Sequence, residues 1–296
     1  MERLSLRSDR LHAEIVPAIG GSVIRLDLQS GGAVHPILRP SDDAALAREG
    51  ASQAAMHPLL PFANRVPGNL IDLVEPPLTL QPNVAGESCM LHGIGWQRAW
   101  QILEAREDRC VLELIVRPGE WAFGFRAVQD FSVQGGEFRA ELAIKNTFDR
   151  PIPVGLGFHP YFVRTTGMTL QFHAERFWLE GPGHLPTDAV SLPPELDFSN
   201  PTPLPDTWRN NGYSGWDGRA VLRDPARGFE LDLRASPPLR DLMLYVPPRE
   251  QYFCLEPQSH TTGAVTRARG RRPATPLRIL APGERMAVEM TITAGA

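Results

Sequence analysis

Apolar and polar residues alternate along short stretches of the whole chain, and the period is two rather than the 3.6 of a helix. Between Leu11 and Pro17, and again between Ser22 and Leu28, apolar positions alternate with polar ones, and Gly20-Gly21 between them supplies a turn. That pattern predicts a β-hairpin. Phe138, Ala140, Leu142 and Ile144 share one face of a predicted strand, with Arg139, Glu141 and Lys145 on the other. Phe229, Leu231 and Leu233 repeat this against Glu230, Asp232 and Arg234, and Met286, Val288, Met290 and Ile292 close the chain in the same way. Strands separated by Gly/Pro turns, with few intervening helical windows, predict an all-β fold of packed antiparallel sheets. Only Ser41 to Arg48 reads as a short helix, with Ser41 as its N-cap.

Composition supports this pattern. The 296 residues include 29 prolines and 26 glycines, spread so evenly that an all-helical fold is excluded. At 42% hydrophobic residues the chain can bury a large core, and no linker-like shift divides it, so residues 1–296 are expected to form one domain. The prolines concentrate between Leu185 and Trp208, which predicts a long irregular excursion of functional or lid-like character.

The net charge is −4 and Lys145 is the only lysine, so nothing marks a nucleic-acid surface. Arg267-Ala-Arg-Gly-Arg-Arg272 is a local basic run, either a solvated loop or an anion contact. Cys89, Cys110 and Cys254 are too few for a disulfide framework and read as reduced buried thiols. With no apolar leader and no membrane-length span, the expectation is a soluble, cytoplasmic monomer or homodimer.

Candidate chemistry sits where polar groups adjoin Gly, Pro or aromatic residues. His159 lies in Phe158-His-Pro-Tyr-Phe162 and Glu256 in Leu255-Glu-Pro257, each ending an apolar run, where a titratable group is costly unless paired or used. His92 in Leu91-His-Gly93, Asn64 and Arg65 in Ala63-Asn-Arg-Val66, and Trp216 and Asp217 between Gly215 and Gly218 complete the set. Structural alternatives stand beside each: a core histidine, an ion pair, an Asp-Gly turn. No His-x-His, His-x-x-x-His or Cys-x-x-Cys pair suggests a metal, and no Gly-x-Ser-x-Gly elbow suggests a serine nucleophile.

In their order, Asn-Arg, Leu-His-Gly, His-Pro-Tyr-Phe, Trp-Asp-Gly and Leu-Glu-Pro, these segments resemble the aldose 1-epimerase (galactose mutarotase) family from about Gly20 to Glu284. The resemblance implies a large antiparallel β-sandwich that binds a monosaccharide and needs no cofactor and no metal. It makes His159 the general acid and Glu256 the general base, with His92 and Arg65 on sugar oxygens near the reacting centre. Asp217 falls where the family places an acid for sugar hydroxyls, although many members have Asp-His there and this chain has Asp-Gly. Trp216, Phe158, Tyr161 and Trp96 are candidate stacking partners for a pyranose, Trp216 foremost.

The residue types suit that reaction independently. Anomer interconversion needs one base at the C1 hydroxyl and one acid at the ring oxygen, each contributing about 10²–10⁴-fold. Competing expectations are a hexose-6-phosphate 1-epimerase, a glycoside hydrolase using Asp217 with Glu256, and a non-catalytic carbohydrate-binding module.

Overall fold

The computed structural model describes residues 1–265 and 275–295, so the basic run from Arg267 to Arg272 lies outside the described residues. Phe138, Ala140, Leu142 and Ile144 are fully buried, while Arg139 on the opposite face pairs with Glu141 at 2.8 Å and Glu289 at 2.6 Å. This one-sided burial recurs in the strands Phe125–Gln134, Phe229–Ala235 and Arg285–Ala294 and follows from side chains alternating across a pleated backbone. Their apolar faces meet those of a second sheet in one continuous core, which makes a large antiparallel β-sandwich. Each Leu, Ile or Phe side chain removed from water in this way contributes about 1.5–3 kcal/mol.

One sheet runs from Thr202–Pro203 at one edge through Thr169–Phe172, Arg219–Asp224, Phe229–Ala235, Arg285–Ala294, Glu137–Asn146, Phe125–Gln134 and Arg109–Val116 to Gln101–Ala105. The other runs from Leu4–Arg7 through Leu11–Val16, Ser22–Ser30, Met56–Leu59, Gly157–Val163, Tyr252–Gln258, Asp241–Val246, Arg209–Ser214 and Arg176–Glu180 to Pro186–Val190. The expected hairpin is the pair Leu11–Val16 and Ser22–Ser30. Its turn depends on glycine: Gly20 has φ +67°, and a Cβ there would stand 2.3 Å from the Trp96 carbonyl oxygen.

Two local expectations are corrected. The helix spans Asp43–Glu49 and its N-cap is Asp42, not Ser41, because the Asp42 carboxylate accepts from the Ala45 amide at 2.8 Å. The segment from Leu185 to Trp208 is not one irregular lid. It contributes edge strands Pro186–Val190 and Thr202–Pro203, and buries Leu196 and Phe198 between them.

The centre of the larger sheet departs from alternation. Gly157–Val163 and Tyr252–Gln258 are buried almost throughout, because loops cover the face turned away from the core. Their ladder pairs Gly157 with Gln258 and Tyr161 with Cys254, a register that sets His159 opposite Glu256, and on its other side His159 pairs with His57. Each of these three residues precedes a proline, Pro58, Pro160 or Pro257. A following proline disfavours the α region, so all three are held extended, at the expense of the ladder donors the prolines lack.

Candidate active site

His159 and Glu256 project from adjacent central strands into a cleft of about 330 Å³. Their contact is direct: His159 Nε2 stands 3.2 Å from Glu256 Oε1, and both side chains are buried. Gln258, two residues along the same strand face, donates from Nε2 to the other carboxyl oxygen at 3.0 Å. The His159 ring is stacked on Tyr161 at 4.6 Å and 18°, and it also meets His57 at 4.6 Å and 34°. His57 in turn stacks on Trp96 at 5.1 Å.

His92, Asn64 and Arg65 arrive on two loops that zip together. Arg65 bridges to Leu91, and the His92 amide donates to the Asn64 carbonyl at 3.0 Å. Gly93 makes the close approach possible, since a Cβ there would lie 2.2 Å from the Leu60 carbonyl oxygen. Asn64 and His92 themselves adopt φ of 60° and 59°, a left-handed conformation that asparagine and histidine tolerate better than most residues. Arg65 enters the cleft already neutralised: Nη2 and Nε donate to the two carboxyl oxygens of Glu87 at 2.6 and 3.1 Å.

Burial decides the protonation states. It pushes Glu256 up to about 8, against the opposing hydrogen bond from Gln258 and the charge of Arg65. Burial pushes His159 well below its ordinary range, helped by His57, His92 and Arg39, and takes His57 down to about 3. Burial thus favours the neutral form of both groups, a protonated carboxyl beside an unprotonated imidazole. One group can then give a proton while its neighbour takes one.

His92 is also held neutral by burial, and its tautomer is fixed. The Asn64 amide donates to Nδ1 at 3.0 Å, so the imidazole proton sits on Nε2. His92, His159 and Glu256 have potential ligand atoms within 4.8 Å of one another, the composition of a metal site. The donor set fits poorly, because a neutral imidazole bound to a metal through Nε2 must carry its proton on Nδ1, where the Asn64 amide already points. As arranged, His92 is a hydrogen-bond donor suited to an oxygen.

Asn64, Arg65, His92, His159 and Glu256 thus come together, with Trp96 and Tyr161 beside them. Trp216 and Asp217 do not. Trp216 is fully buried in the core with Nε1 donating to the Arg219 carbonyl, leaving no face for a sugar, and Phe158 is likewise core. Asp217 lies exposed in the following turn, where its carboxylate accepts from the Arg219 amide at 3.0 Å. It is a turn residue of the Asx type. Among the cleft residues that escaped the sequence reasoning are His57, Glu87, His184, Trp208, Asn210 and Tyr245. His57-Pro58 carries the same signature as His159-Pro160 and was the one with a usable signal.

The chain is thus an antiparallel β-sandwich with a buried His–Glu pair at a cleft on one sheet face. The aldose 1-epimerase family model matches residues 2–293, and the chain belongs to that family. It is 33% identical over 285 residues to the uncharacterized protein YphB of Escherichia coli K12, spanning 91% of this chain and 95% of that one. A crystal structure of a candidate aldose 1-epimerase from Escherichia coli K12 superposes with a TM-score of 0.89 at 31% identity, covering 99% of both chains. The GalM/aldose epimerase homologue of C. elegans shares the fold at 16% identity, with a TM-score of 0.84 over 99% of this chain and 98% of that one. Among the described residues no helix is long and apolar enough to cross a membrane.

Proposed function

We propose that the protein interconverts the α and β anomers of a free aldohexose, with His159 and Glu256 as the acid/base pair. The observation that carries this is their 3.2 Å contact across adjacent strands inside the cleft, where burial favours the neutral form of each. O1 and O5 of a pyranose are both bonded to C1, so a neighbouring acid and base match the two atoms that must exchange protons. Hydroxyl groups donating to the Glu256 carboxyl stabilise its anion and move its proton to His159. Glu256 then takes the O1 proton while His159 protonates O5. The C1–O5 bond breaks, C1=O1 forms, C2–C1 rotates, and reclosure on the other face returns both protons with the roles reversed. His92 Nε2–H and Arg65 supply donors to the oxygens, and Tyr161 and Trp96 flank the ring.

A phosphorylated hexose is the weaker reading. Arg65 is the one cationic residue among the described cleft-lining residues other than the histidines, and Glu87 occupies it. A hydrolase built on Asp217 and Glu256 loses its second carboxylate, since Asp217 does not line the cleft.

Polarimetry on freshly dissolved α-glucose and α-galactose tests the proposal. The protein shortens the approach to anomeric equilibrium, and His159→Ala or Glu256→Gln each remove about 10²–10⁴-fold of that rate. Wild-type rates in both variants would overturn the assignment of the pair.

A further inference from the structure

Arg39 follows the strand Ala33–Pro36 and does not line the cleft. Its contacts nonetheless reach the three adjacent central strands that carry His57, His159 and Glu256. Nη2 donates to the Ser52 and Ala54 carbonyls at 3.1 and 2.9 Å, which fixes the turn leading into Met56–Leu59. Cζ stands over the Tyr161 ring at 4.1 Å and over the Tyr252 ring at 4.5 Å, and these rings belong to Gly157–Val163 and Tyr252–Gln258. The backbone is tied in as well: the Arg39 amide donates to the Tyr161 carbonyl at 2.7 Å, and the Tyr161 amide to that of Ala55 at 2.9 Å.

Sheet geometry sets this clamp beside the reacting pair. Side chains two apart on a strand share a face, so Tyr161 lies on the face of His159 and Tyr252 on that of Glu256. Tyr161 stacks on the His159 imidazole at 4.6 Å and 18°, and Tyr252 meets Tyr161 at 5.5 Å and 63°. Only Tyr161 therefore separates the guanidinium from the imidazole. The choice of arginine is itself informative. Its partners are carbonyl oxygens and rings, and no carboxylate among the described residues pairs with it. A half-buried charge without a counter-ion is costly, and an apolar side chain would fill the space between two rings without that cost. A guanidinium offers what an apolar group or an ammonium does not: a flat cationic face for the rings and edge donors for the carbonyls, in one rigid plane.

We propose that Arg39 is a positioning residue for the acid/base pair: it clamps Tyr161, Tyr252 and the turn before His57, and so holds the His159 imidazole against Glu256 in the geometry that transfers protons. This rests on the mutarotase reading above. Arg39 acts through Tyr161, and a displaced ring there releases His159 on the side away from the sugar's own contacts.

Polarimetry with glucose tests this, with thermal midpoints read on every variant. Arg39→Lys keeps the charge and loses the planar fork, so kcat falls about tenfold or more while KM moves less than about twofold. Arg39→Ala falls further, and added guanidinium chloride at millimolar concentration restores part of its kcat, whereas ammonium chloride at the same ionic strength restores none. Wild-type kcat in both variants, a loss that only tracks the fraction of protein unfolded, or a rise in KM with kcat unchanged overturns the positioning role and leaves the mutarotase assignment standing. Equal rescue by ammonium overturns it too, since a point charge would then suffice. Acceleration of no sugar by the wild-type protein overturns both.

Discussion

His57 pairs with His159 across the ladder between two central strands, and their rings lie 4.6 Å apart with planes inclined by 34°. Tyr161 stacks on the same imidazole and itself lies 6.1 Å from His57, so His159 packs against two adjoining rings that restrict its freedom to turn away from Glu256. His57 is neutral at every pH at which the fold persists near neutrality, since burial takes it down to about 3. Its contribution is therefore packing and orientation.

Removing that packing should show in turnover. His57→Ala opens a gap against His159, and a small misplacement of a reacting group is costly. We expect kcat to fall about tenfold or more with KM less affected, and His57→Phe, which restores a ring, to recover most of the loss. Steady-state kinetics on both variants checks this; equal losses in the two would mean that the imidazole itself is required.

Glu256 gives a second prediction, in stability. Its folded value of about 8 exceeds the ordinary 4.5, so the folded protein holds a proton that the unfolded chain releases. That contribution is complete below pH 4.5 and declines as pH rises towards 8, by about 1.4 kcal/mol per pH unit at most. Glu256→Gln cannot titrate. Its stability relative to wild type, measured by urea unfolding, should therefore rise steadily between pH 5 and 8; a constant difference would contradict the raised value.

Where one face of a strand is core and the other is wet, the sequence declares it, and Glu137–Asn146 and Arg285–Ala294 were legible to the residue for that reason. The central strands were not, because the core buries one of their faces and loops cover the other, which erases the alternation. His159 and Glu256 stood out instead as titratable groups stranded in apolar runs before proline. Trp216 misled because flanking glycines suggest exposure, whereas Gly215 and Gly218 serve turns at φ +69° and +89° and the indole points inward. Trp208 was hidden by the prolines preceding it, which suggested irregular chain where edge strands form. Which loop residues meet across a cleft depends on sheet register, and a single sequence does not carry it.

Trp216 and Asp217 therefore part company under mutation. Trp216→Ala empties a fully buried site and should cost about 3–5 kcal/mol, read as a fall in the unfolding midpoint. Asp217→Asn sits at an exposed turn outside the cleft and should leave kcat/KM for glucose within about twofold. A large loss of activity in Asp217→Asn would return that residue to the site.

Buried histidines set the acid limit of the fold. His260 is fully buried, with Nε2 accepting from the Ala63 amide at 2.9 Å and Nδ1 donating to the Thr261 carbonyl at 2.9 Å, and burial lowers it to about 4. His57 is lowered to about 3, and His92 and His159 are lowered as well. A depressed value means that the unfolded chain binds the proton first. The stability these groups confer is present above pH 6.5 and is lost as pH falls towards each folded value. Each contributes a slope of up to about 1.4 kcal/mol per pH unit, so four together destabilise the protein steeply between pH 6 and pH 4. Thermal midpoints across that range should drop sharply, and His260→Gln, whatever its midpoint at pH 7, should show a shallower dependence because one of the four protons is no longer taken up on unfolding. An unchanged slope would place the acid sensitivity in the carboxylates instead.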